Sequence, residues 1–197
     1  METSKNIKTL ITLTILALIG VGTYYLVSEK VFIPTAFTEA RVQNAKTAES
    51  LIAGLNASLD NLKLISQYDQ KNDFADALKL TKTELSLAVG MHATSTQLAN
   101  DLSAMATAAQ GITPTKARDL AISAATDELS LIGKLIVYND SLSGLFQTLT
   151  LKFSGSIPKN ADEVAKSIQA MNATAQDINA LNDSFNAKMA EFDTMTK

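Results

Sequence analysis

His92 is the only imidazole in the chain, and no thiol accompanies it, since the 197 residues contain one histidine and no cysteine. A haem iron could take His92 as one axial ligand, with a methionine such as Met171 or Met189 opposite. A di-iron bundle needs Glu-x-x-His on each of two helices, whereas Val89 stands three residues before His92. A tetrahedral zinc site cannot be closed from one imidazole without a thiolate or a second histidine. The residues therefore imply no metal and no cofactor.

Nucleophilic chemistry is equally thin. Serine and threonine are abundant, but there is no Gly-x-Ser-x-Gly turn and no glycine-rich phosphate loop. The acidic pairs Asp127/Glu128 and Asp162/Glu163 are adjacent in sequence, so on a helix they point in different directions. They read as solvated surface or capping groups. Asn56, Asn139, Asn172 and Asn182 each open an Asn-x-Ser/Thr triplet. In a chain this rich in asparagine, serine and threonine such triplets arise by chance, and these fall inside helical segments. No catalytic residue is expected, and the chain reads as a non-enzyme.

One polar constellation stands out. Leu78, Thr81, Leu85, Ala88, His92 and Ser95 recur at helical spacing. Their pattern predicts an internal polar layer of Thr81, His92 and Ser95, joined by Glu128 from a later helix. Such a layer sets helix register or holds water; the alternative is the lining of a small-molecule pocket.

The elements that must carry these residues are long helices. Turn chemistry divides residues 36–197 into helices near 36–67, 73–110, 114–153 and 160–196. Asp73 is an N-cap with Asp76 three residues on, and Thr35 caps the first segment after Pro34. Gly111 is expected to close the second helix in the left-handed conformation. Thr113-Pro114 reads as a cap followed by proline at the first helical position. Asn160 and Glu163 have capping-box spacing beyond the break at Ser154–Pro158. Four helices of roughly 50–60 Å with short turns predict an all-α, antiparallel, up-down-up-down four-helix bundle.

Apolar spacing agrees. Phe37, Ala48, Leu51, Leu55, Leu62 and Ile65 mark the first helix. Phe74, Leu78, Leu85, Ala88, Leu98 or Ala99, and Leu102 mark the second. Val164, Ile168, Met171, Ala175, Ile178, Leu181, Phe185, Met189, Phe192 and Met195 mark the fourth. The third carries Leu120, Ala124, Leu131, Leu135, Tyr138, Leu142, Leu145 and Leu149. Beside them runs a second stripe of Ile122, Leu129, Ile132, Ile136 and Phe146, so this helix should be the most buried. Tyr138-Asn139-Asp140 interrupts it, as a local irregularity or a polar facet.

Ahead of the bundle, residues 9–27 hold no charge and would span about 29 Å as helix, the thickness of a hydrocarbon core. The reading is a short cytoplasmic tail at 1–8 and a signal-anchor helix with juxtamembrane linker at 9–33. Lys5 and Lys8 outweigh Glu2 before the run, and Glu29 and Lys30 cancel after it, which puts the N-terminus inside and the bundle outside. A cleaved signal is the alternative, although Thr38-Glu39-Ala40 is a poor cleavage site. Thr9-Leu10-Ile11 resembles the opening of type IV pilins, which would imply a filament subunit.

Seventeen basic against twenty acidic residues give a net charge of −3, which argues against nucleic acid and against docking on anionic lipid. In outline the chain is similar to the four-helix extracytoplasmic sensor modules of chemoreceptors and histidine kinases. That resemblance implies ligand sensing, relayed through a partner because no output domain follows. The residues themselves favour an integral, single-pass membrane protein acting as scaffold, spacer or accessory subunit, through another envelope protein or self-association. A sensory bundle with a small-molecule ligand and a pilin-like subunit are the alternatives.

Overall fold

Core positions repeat with an alternation of four and three residues, the spacing of a heptad seam. On the second helix the buried residues are Ala77, Thr81, Glu84, Ala88, Met91, Ser95, Leu98, Leu102, Met105 and Ala109, and every interval is four or three. The computed structural model describes residues 31–156 and 161–196. It is all-helical, with α1 at Thr35–Gln70, α2 at Phe74–Ala109, α3 at Thr115–Phe153 and α4 at Ala161–Met195. Among the described residues there is no regular strand, only one isolated bridge. No described helix is long and apolar enough to cross a membrane. The apolar run at 9–27 and the capping residue Asn160 lie outside the described residues.

Each helix lies close to the next in sequence, whereas α1 and α4 stand farther apart. Side chains bridge that wider gap near one end. Arg41 grips Asp193 through both Nη atoms at 2.9 and 3.0 Å. Phe37 meets Phe192 with ring centroids 5.7 Å apart at an angle of 57°.

α3 has the broadest buried face. Beside its main seam, Ala125, Ile132, Asn139, Phe146 and Phe153 form a second buried column at intervals of seven. This corrects the expected second stripe in part: Ile132 and Phe146 are buried in this column, whereas Ile122 and Ile136 are only half-buried and Leu129 is 48% exposed, because they lie farther round the helix from the seam. α3 needs the width because it packs on α2 and α4 and also reaches α1, through Asn44 and Glu128.

Local chemistry explains the ends. The Asp73 carboxylate accepts from the Asp76 amide at 3.3 Å, as the spacing predicts. Asn72 takes a left-handed φ of 59° before it, a conformation asparagine tolerates. Gly155 supplies a φ of 75° after α3. Gly111 does not: it is absent from the left-handed region, contrary to expectation, and its bareness serves close approach instead. A Cβ there would lie 2.8 Å from Pro34 Cγ. Pro34 caps α1, one residue earlier than the expected Thr35, and Pro114 caps α3, one residue later than the expected Thr113; neither helix has a side-chain cap.

Candidate functional site

Among the described residues nine polar side chains hold buried positions: Asn44, Ser58, Ser66, Thr81, Glu84, Ser95, Glu128, Asn139 and Asn182. Burying such groups is costly unless each finds a hydrogen-bond partner, so their partners decide what they do. Thr81 and Ser95 are satisfied by their own helix, donating to Ala77 O at 2.7 Å and Met91 O at 3.0 Å. Neither hydroxyl proton is left for a ligand.

The amides and acids link helices. Asn44 Nδ2 on α1 donates to Glu128 Oε1 on α3 at 2.7 Å. Asn61 Nδ2 on α1 donates to Glu84 Oε1 on α2 at the same distance. Asn139 Nδ2 on α3 donates to Ala88 O on α2 at 2.8 Å. Each link leaves oxygen unpartnered: Asn44 Oδ1 and Glu128 Oε2 in the first, Glu84 Oε2 in the second and Asn139 Oδ1 in the third, with Asn182 Oδ1 as a further example.

Burial lifts the Glu128 carboxyl from its ordinary 4.5 to about 7, against the opposing hydrogen bond from Asn44 and the charge of Arg41. Burial also pushes the Tyr138 hydroxyl up. Asp127, the neighbour of Glu128, goes the other way. Burial would raise it, but hydrogen bonds from Lys188 and Ser184, each at 2.6 Å, hold it below its usual value. Adjacent carboxylates thus meet opposite environments because they lie on different faces of α3.

His92 is not in the interior. The four-and-three alternation selects Met91 and then Ser95, and leaves the imidazole beside the seam. Its side chain is 50% exposed, with Nδ1 3.4 Å from Asp140 Oδ1. No hydrogen bond joins any two of Thr81, His92, Ser95 and Glu128, so the expected common layer is replaced by separate contacts along the rod. His92→Ala should accordingly shift stability by no more than about 0.5 kcal/mol. A urea midpoint showing a loss above 2 kcal/mol would contradict this exposed placement.

Between α1, α3 and α4 lies a groove, partly open to solvent, lined by Ala48, Ile52, Leu131, Leu135, Ile178, Asn179 and Asn182. Its enclosed part has room for about one water molecule, which suits the unpartnered Asn182 Oδ1. Among the described residues no three His, Asp or Glu side chains converge as a metal site. Comparison of the chain with protein-family models, curated proteins and solved structures gave no match.

Asn44, Glu84 and Asn182 are buried without an apolar side chain to mark them as core. On α4 the apolar Leu181 is half-buried, whereas the polar Asn182 next to it is buried. The four-and-three alternation of Val164, Ile168, Met171, Ala175 and Ile178 places the next core position at Asn182.

Proposed function

We propose that the chain is a membrane-tethered, extracytoplasmic helical rod that works by contact, as a scaffold, spacer or accessory subunit at the cell envelope, and not as an enzyme. The dispersal of its buried polar groups carries this reading. They are spread over four helices, and those with partners are spent on pairing helices or on their own backbone. Recognition of a small molecule, or catalysis, calls for several such groups aimed at one point. A rod of this kind suits holding things apart: the 36 residues of α1 extend about 54 Å. The tether is supported by the uncharged run at 9–27 and by Lys5 and Lys8 before it.

The partner is another envelope protein or a second copy of the chain. Photo-crosslinking residues placed at the exposed Val89, Val137 and Leu151 positions in intact membranes, followed by mass spectrometry, test this. Discrete adducts at some positions and not others are expected. Absence of adducts throughout, together with a small-molecule-dependent rise in Tm, would instead favour the sensory reading.

A further inference from the structure

We propose that the end of the bundle formed by Phe32 and the α2–α3 turn rests on the bilayer, with the Phe32 ring in the lipid headgroup layer. This inference rests on the reading of residues 9–27 as a membrane anchor. Phe32 is 61% exposed, the only aromatic ring among the large apolar side chains that the described residues leave exposed. It is nonetheless fixed in place. Its amide donates to Thr113 O at 2.9 Å, and the Thr113 amide donates back to Phe32 O at 3.1 Å. Two residues on, Pro34 fills the space left by the missing Gly111 side chain. Val31 and Ile33 pack against the core on either side. The ring therefore belongs to the rigid end of the rod and projects outward from it.

Chain length limits where that end can be. Five peptide units separate Val27, the last residue of the apolar run, from Phe32, a reach of at most about 17 Å. The headgroup layer occupies about 5–8 Å outside the hydrocarbon, and phenylalanine rings seat at its boundary with the acyl chains. The contact is apolar rather than electrostatic. Lys116, at the same end, already lies 3.8 Å from Glu191, and the chain carries a net charge of −3. Neutral phospholipid is the matching surface. With this end seated, α1 carries the turn at 71–73 and the segment at 154–156 about 54 Å along its axis to the far end, the part offered to a partner.

The chain has no tryptophan, so Phe32→Trp gives a single reporter. Full-length protein would be reconstituted in phosphatidylcholine vesicles with and without brominated acyl chains. The comparison variant is Val89→Trp, 68% exposed and about 30 Å along α2 from that end. Phe32→Trp should emit to the blue of Val89→Trp and be quenched at least twofold by brominated lipid, with Val89→Trp unaffected. A chain that floats with the vesicles while Phe32→Trp matches Val89→Trp overturns the docking and leaves the anchor standing. A chain that does not float overturns the anchor, and the docking with it.

Discussion

Raising the pH from 4.5 to 7.5 should cost the folded chain about 3 kcal/mol through Glu128 alone. The carboxyl titrates near 4.5 when unfolded and at about 7 when folded. Below 4.5 both states hold the proton and nothing is lost. Between the two values the folded state keeps a proton that the unfolded chain releases, so unfolding gains about 1.4 kcal/mol for each pH unit. Above about 7 both are ionised and the penalty is constant. The hydrogen-bond count agrees in direction. Glu128 Oε2 and Asn44 Oδ1 are buried acceptors without a donor, and the acid form of Glu128 supplies one. Other carboxylates oppose this trend, Asp127 among them, since its depressed value adds stability that is lost as the pH falls. The measurement is therefore a difference: urea unfolding of the full chain in detergent, wild type against Glu128→Gln, across that pH range. The glutamine keeps the shape and offers a permanent donor. The wild type should lose stability relative to it as the pH rises, and parallel curves would refute the assignment.

What could be read in the sequence, and what could not, follows from how each signal arises. Helix number and length were legible because Asp73 and the prolines punctuate a heptad pattern that few residues interrupt. Phe37, Leu51, Leu55 and Leu62 were legible as core because apolar residues fall there by type. Glu84 and Asn44 were not, since their side chains look like surface and only their place in the count makes them interior. His92 failed in the opposite way. Its chemistry drew attention, and a spacing of four from Ala88 was allowed where the register requires three, to Met91. The pairing of Asn44 with Glu128 lies beyond any one-helix pattern, because it depends on α3 facing α1 across the bundle. The Phe32–Thr113 bridge is likewise a tertiary fact with no local signature.

Leu135→Asp should be among the most damaging single changes on α3, at about 4 kcal/mol. Leu135 is 3% exposed and lines the groove with Ile52 and Ile178. The change removes a buried side chain, worth about 2–3 kcal/mol, and sets an unpaired carboxylate in its place. No lysine or arginine lines that groove, so no ion pair can form without rearrangement. The groove nevertheless gives the new charge a route to water, which predicts a ranking. Leu142, one heptad further along α3, is fully buried and does not line that groove, so Leu142→Asp should be worse and leave no cooperative transition. Val137, two residues from Leu135 on the same helix, is 51% exposed, and Val137→Asp should stay within about 0.5 kcal/mol of wild type. Urea unfolding of the three variants by circular dichroism gives the order directly. If Val137→Asp proved as harmful as Leu135→Asp, the face of α3 assigned to solvent would be wrong, and with it the register of the whole bundle. If Leu135→Asp were the worst of the three, the groove would be closed to water and Asn182 would need a protein partner within it.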